Sequence, residues 1–324
     1  HGRYSHKHAV YTAAFIEKYE KLLPAQFNKA GWGLGDSFIN LAAMHHKPET
    51  PLQWIIAIAD RVSSGLDRQE FEDYNKEINV KDYTKTRLLP LLEAISLEGN
   101  SQRESPDLYK YRYPLKELTP DSIFPSQDSG LSKHDATEEY ARLFDGFTNA
   151  LEKLWHKETI ALWFEHFENL FMIYTSHIPA ATVGLVIPDV SLYDHAKITA
   201  ALASALYVYH KTIGSLEIDK IKNYDEKKFL LINGDFYGIQ NFIFTGGGST
   251  GKASAKLLRG RSFAVSLLSE LAADMLCREI GIPTSSIILN AAGKFTIIGP
   301  NTDKAKEAIK GVQTTINDWL IKNF

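Results

Sequence analysis

The run FLLINGDFYGIQNFIF, residues 229–244, followed by LLRGRSF, residues 257–263, decides how the second half of this chain folds. Phe229–Ile232 reads as a buried strand that ends in Asn233-Gly234-Asp235. A Gly-Asp step at a strand end makes a tight turn and leaves a carboxylate where the backbone is exposed. A second apolar run, Ile239–Phe244, follows Tyr237-Gly238 and reads as a strand. Leu257–Ile280 has helical periodicity, with Arg259 and Arg261 in its first turns and apolar positions such as Phe263, Leu267, Leu271 and Met275. Gly281 and Pro283 stop it. Ser286–Asn290 and Lys294–Gly299 are short β-rich runs joined through Ala291-Ala292-Gly293, a hairpin, and Asp303–Phe324 is a last helix. The order β-α-β-β-α is a ferredoxin-like α+β unit that lacks one strand, so the domain is expected to continue past Phe324.

GDFYGIQNFIF, LRGRSF and the hairpin NAAGKFTIIGP, in that order, resemble the first palm (polymerase/cyclase-like, GGDEF-like) domain of the large subunit of type III CRISPR interference complexes. Palm cyclases hold two metals with paired acids in the central hairpin. Here the hairpin is Ala291-Ala292-Gly293-Lys294, without an acid, so this palm is expected to be degenerate. In the family a second palm carries the acids, and ATP with Mg or Mn lies between the two and becomes cyclic oligoadenylate. The resemblance puts that second palm beyond Phe324. It makes Gly234, Asp235, Tyr237, Gly238 and Gln240 the nucleotide-facing edge, and Lys252, Lys256, Arg259 and Arg261 nucleic-acid contacts.

A chain of 324 residues buries a sizeable core, and two or three domains are expected. Net charge is −3, so there is no global basic signal for nucleic acid. The single cysteine, Cys277, falls on the apolar face of a helix, where it reads as a small core residue; no internal disulfide and no cysteine-based zinc site can form. There is no 18-residue apolar run and no signal peptide, so no membrane partner is expected.

His1–Glu20 repeats alanines and aromatics at helical spacing, with His8 near the helix start. A loop, Gly31–Asp36, leads to Asp36 or Ser37 as cap of a short apolar helix, Ser37–Met44, which ends at His45-His46-Lys47-Pro48. Pro51–Ser63 is a further helix that places Asp60 inside an apolar stretch, WIIAIADRVSS. A carboxylate there must be paired or bound to a metal. Arg61 points about 100° away along the helix, so a paired reading needs another residue, such as Arg68 or Arg87. The other reading is a divalent transition-metal site built from His8, His45, His46 and Asp60, since imidazoles and a carboxylate suit such an ion.

HAVYTAAFI, the MHHKP turn and LQWIIAIADRVSSGLDR are similar to later motifs of the HD nuclease domain of the same large subunits, the type III-A (Csm) subtype matching best. The resemblance implies an HD metal site holding Mn, Ni or Co that cleaves single-stranded DNA, with His8, His45 or His46, and Asp60 as ligands and Asp60, His45 and His46 catalytic. The family's adjacent His-Asp pair is expected upstream of His1. The only such dipeptide here, His134-Asp135, sits in a polar loop and does not match.

Gln69–Leu97 reads as a charged linker helix, and Tyr111–Pro125, with Pro114, Pro120 and Pro125, as extended chain. Thr137–His177 is helical and aromatic, a core stripe rather than a base-stacking platform. Lys197–His210 is an alanine-rich helix, with Asp194 and His195 read as capping and interdomain groups and not as catalytic ones. Gly246–Ala253, GGGSTGKA, meets G-x-x-x-x-G-K but carries Ala253 where a phosphate loop needs a hydroxyl, and reads as a flexible loop.

The expectation is therefore an α plus α/β multidomain chain: an α-helical HD-type domain over 1–97, a helical connector over 98–224 and a ferredoxin-like palm over 225–324. Expected partners are the other Csm subunits, guide CRISPR RNA, target RNA, single-stranded DNA and ATP, in a prokaryotic cytoplasm. The alternative is a non-catalytic assembly module that binds partner subunits and RNA.

Overall fold

The structure, a computed structural model, describes residues 7–28, 31–65, 86–95, 108–127, 137–181, 187–244 and 254–323. His134-Asp135, Arg68, the GGGSTGKA loop with Lys252, and most of the expected linker helix lie outside these residues, as does the side chain of His8. The chain divides into two units, residues 1–53 with 60–196 and residues 54–59 with 197–324.

The first unit is helical. Helix α1 spans Lys7–Lys18, α2 Phe38–Ala43 and α3 Pro51–Ser63, the last grouping over Trp54–Ala59 with the other unit. Ser37 caps α2 by accepting from Asn40 N at 3.3 Å. Asp36 does a different job: it is buried and accepts from Gln53 Nε2 at 2.6 Å and from the Thr50 hydroxyl. Thr50 in turn caps α3, with Pro51 in its first turn. Two-residue strands β1 (Tyr111–Arg112) and β2 (Ser126–Gln127) pair antiparallel, and residues 86–95 form extended chain and a 3-10 turn where the sequence reads as helix. Proline at 90 removes a donor and restrains its neighbour, which explains the difference.

The long aromatic stretch is two helices, α4 (Thr137–Leu151) and α5 (Ile160–Thr175), separated by a bend where His156 takes φ 64°. Leu151, Trp163 and Leu170 pack with Ile16 and Leu23, and Phe147, Phe164 and Phe167 close over them. Trp163 stacks on Phe167 with centroids 5.0 Å apart. These rings are core, as their helical spacing implies. Helix α6 (Leu192–Thr212) is capped by Ser191, whose hydroxyl accepts from Asp194 N and donates to Asp194 Oδ2.

The second unit holds α7 (Ile218–Ile221), β3 (Phe229–Asp235), α8 (Ile239–Phe244), α9 (Ser254–Ile280), β4 (Ile287–Ala291), β5 (Lys294–Pro300) and α10 (Asp303–Asn323). The sheet is antiparallel in the order β3-β5-β4, with Ile232 opposite Ile297 and Asp235 opposite Lys294. Ala292 and Gly293, both at positive φ, turn the hairpin; this is the geometry that matches strand twist. A Cβ on Gly293 would also sit 2.3 Å from Ile239 Cδ1, which would have to move aside.

Ile232, Phe295 and Ile297 bury one sheet face against Ala272, Ala273, Leu276, Cys277 and Ile280 of α9 and Ala305 and Val312 of α10. Ile298 points to the other face and meets Ala59, Ala201, Leu202 and Ala205. Cys277 is a core thiol, as expected, and burial pushes it up to about 12.

One expectation is corrected, and the facing of α9 is added. Ile239–Phe244 is a short helix, not a strand: β3 runs on through Asp235, and Gly238 at φ 76° turns the chain into α8. Phe263, Leu267 and Leu271 do not face the core; they are exposed on α9, whose buried face runs through Val265, Ser269, Ala272, Leu276 and Ile280.

Candidate functional site

Asp60, near the end of α3, and His195, in the first turn of α6, meet although 135 residues separate them: Nε2 of His195 lies 3.0 Å from Oδ1 of Asp60. Each side chain is 21% exposed, so the pair is shielded but reachable from solvent. Ser63 Oγ stands 3.2 Å from both Nδ1 and the carbonyl oxygen of His195, fixing the ring from its far side. The Asp60 carboxylate accepts from Nε2–H of His195, and the Ser63 hydroxyl donates to the His195 carbonyl oxygen.

Burial would push the Asp60 carboxyl up. The hydrogen bond and charge of His195 oppose this, His45 and His46 add smaller attractions, and the net result holds the carboxyl below its ordinary value. The tandem histidines sit on the turn after α2, ring centroids 4.2 Å apart, with His45 Nδ1 donating to Ala42 O at 3.2 Å.

The structure thus gathers Asp60, His45 and His46 into one electrostatic neighbourhood, as the sequence proposes, and adds His195, which the sequence reading set aside as a capping group. Of the ion-pair partners named for Asp60, Arg68 lies outside the described residues, and Arg87 pairs with Glu139 at 2.7 Å. A carboxylate held ionised among imidazoles is the donor chemistry of a divalent transition metal. Among the described residues no three His, Cys, Asp or Glu side chains converge as a metal cage.

At the other candidate site, Gly234 answers to packing: a Cβ there would lie 2.1 Å from the Phe295 ring. Gly234 itself is half-buried on β3. Asp235 pairs with Lys294 Nζ at 3.4 Å across β3 and β5. Tyr237 is 96% exposed, and Gly238 and Gln240 are exposed beside it. Arg261 donates to Ile243 O at 3.2 Å and lies 5.9 Å over the Phe242 ring, so it also fastens α8. Arg259 donates to Ala255 O in its own helix, and Lys256 is exposed.

Residues 228–324 match the family described as Csm1 subunit domain B. A Cas10/Csm1 protein of Methanocaldococcus jannaschii, named a CRISPR system single-strand-specific deoxyribonuclease of subtype III-A, is 31% identical over 319 residues, covering 89% of this chain and 37% of the relative. The protein of the same name from Enterococcus italicus is 29% identical over 283 residues, covering 84% and 35%. The chain is a homologue of the Cas10/Csm1 large subunits of subtype III-A. It spans little more than a third of the length of these two relatives.

Solved structures agree at the level of fold. Csm1 in T. onnurineus superposes with a TM-score of 0.66 at 20% identity, covering 100% of this chain and 40% of that one. A Csm1–Csm4 cassette in complex with pppApA superposes with a TM-score of 0.62 at 20% identity, covering 96% and 35%. Among the described residues no helix is long and apolar enough to cross a membrane.

Proposed function

We propose that this chain is a portion of a type III-A large subunit that contributes to two activities. Its helical HD-type part, 1–97 with the connector 98–224, supplies donors to a metal-dependent nuclease acting on single-stranded DNA. Residues 225–324 form the acid-free palm of a pair that turns ATP into cyclic oligoadenylates. The relatives' names as single-strand-specific deoxyribonucleases, and solved cassettes in complex with ATP and cA4, support this reading. Csm4, the guide RNA and target RNA are its partners on this view, and a Csm1–Csm4 subcomplex supports the first of them.

The observation that carries the nuclease reading is the ionised Asp60 held by His195 beside His45 and His46. His8, His45, His46 and Asp60 would hold the metal, which would supply an activated water and a clamp on the scissile phosphate. His195 and Ser63 keep the Asp60 carboxylate oriented and charged. At the palm, Asp235, Tyr237, Gly238 and Gln240 would border the nucleotide.

Titrating Mn2+ into wild type and Asp60→Ala tests the first activity. The substitution is expected to remove a binding event; equal affinity in both proteins would make Asp60 purely structural. A second reading, a non-catalytic assembly module, is favoured by the hairpin tip Ala291-Ala292-Gly293-Lys294, where Lys294 engages the nearby Asp235. Manganese-dependent cleavage of single-stranded DNA by this chain would count against it.

A further inference from the structure

A cleft of about 470 Å3 opens on the second unit, lined by Ser204, Tyr207 and Val208 of α6, Lys211 and Thr212 at its end, Ile280, Gly281 and Pro283 after α9, and Lys304 of α10. It lies at the Pro300 end of β5, the end away from the hairpin tip and the Asp235–Gln240 edge. Its size is that of a small-ligand site, about 300–1,000 Å3. Val208, Ile280 and Pro283 give it an apolar floor, and the Tyr207 ring is exposed at its wall.

The charge in it has one sign. Lys211 and Lys304 line it, and among the described residues no carboxylate does. Asp303, next in the chain to Lys304, is turned to Lys306 at 3.2 Å. The Cys277 carbonyl at the end of α9 is taken up by the amides of Gly281 and Ile282, both at 2.9 Å. Lys211 Nζ lies over the Tyr207 ring, 5.4 Å from its centroid, so a cation is already stacked on one face of the aromatic ring. An anion joined to a flat, weakly polar group satisfies all of these features: charge to the lysines, ring to Tyr207 and the apolar floor.

We propose that this cleft binds a phosphorylated nucleoside, as one unit of a single strand or as a free nucleotide. The phosphate lies on Lys211 and Lys304 and the base on Tyr207. The site is separate from both sites described above and does not depend on either.

The test is fluorescence anisotropy of fluorescein-labelled rA10 and dT10 with the full chain in EDTA, over a series of salt concentrations, with AMP as competitor. EDTA keeps the metal site out of the result. The double variant Lys211→Gln/Lys304→Gln is expected to bind more weakly, with the slope of log K against log salt flatter by about 1.4, or about 0.7 for each single-strand phosphate left without its lysine. Tyr207→Leu is expected to weaken binding about tenfold with the slope unchanged, the mark of a missing stack. Displacement of the strands by AMP identifies a mononucleotide site, and resistance to AMP a strand site. Because all three side chains are at the surface, both variants are expected to melt as wild type does. Wild-type affinity and slope in both would overturn the proposal. So would a variant that loses binding of a polyglutamate peptide while keeping the nucleic acids, since the cleft would then serve an acidic protein.

Discussion

Nε2 of His195 lies 3.0 Å from Oδ1 of Asp60, a half-shielded contact between the end of one helix and the start of another. Because Asp60 is held below its ordinary value, its stabilising contribution is present above about pH 4 and is lost as the pH falls through the lowered folded value. His195→Ala leaves the carboxylate without its main partner and is expected to cost about 1–3 kcal/mol. A double-mutant cycle with Asp60→Asn by urea denaturation is expected to show coupling of about 1 kcal/mol. Strict additivity of the two effects would sink the pairing.

Gly234 is the second test. A methyl group there meets the buried Phe295 ring at 2.1 Å, where Gly234 on β3 stands opposite Phe295 on β5. Gly234→Ala is expected to destabilise by about 1–3 kcal/mol or more through overpacking. Adding Phe295→Leu, which opens the space, is expected to recover part of that stability. If Gly234→Ala melts like wild type, the glycine is there for another reason.

The sheet and helices over 229–323 were nearly all legible in the sequence because their punctuation is local. Gly281 and Pro283 end α9, and Ala292-Gly293 turn the hairpin. Ile239–Phe244 misleads because six apolar residues cannot be told apart as strand or helix by periodicity. Phe263, Leu267 and Leu271 form one apolar stripe of α9 and Val265, Ala272 and Leu276 another, and the pattern does not say which faces inward. Asp60 stood out as a charge in an apolar helix. Its partner did not, because a contact spanning 135 residues leaves no local trace. Gly234 likewise looks like a turn residue until the Phe295 ring is seen over it.

His177 and His210 give the chain a response to mild acid. Burial pushes both imidazoles below 6.5; at His210 Lys228 adds to this while the Ser215 carbonyl and Glu226 oppose it, and at His177 the Lys116 carbonyl opposes it. The unfolded chain then takes up protons that the folded chain refuses. The stability they contribute is full above about pH 6.5 and declines as the pH falls through the lowered folded values. Each group adds at most about 1.4 kcal/mol per pH unit to the slope. His210→Asn keeps a donor for the Ser215 carbonyl, which His210 Nδ1 meets at 3.0 Å. Urea midpoints between pH 7.5 and 5.5 are expected to fall less steeply in that variant; identical slopes would show that His210 does not titrate on unfolding.

Arg87 and Glu139 pair at 2.7 Å with the arginine side chain wholly buried and the glutamate 9% exposed. Taking both charges out of water consumes most of what their attraction returns, so the pair is a weak source of stability and a strong liability when halved. Arg87→Met alone is expected to cost about 3–5 kcal/mol, because Glu139 on α4 is left as a buried charge without its arginine. The double variant Arg87→Met/Glu139→Leu is expected to return close to wild type, or above it, in urea denaturation. If the double variant is instead as unstable as the single one, the pair is not self-contained, and the further hydrogen bond from Arg87 to the Thr86 carbonyl at 3.3 Å becomes the first contact to vary.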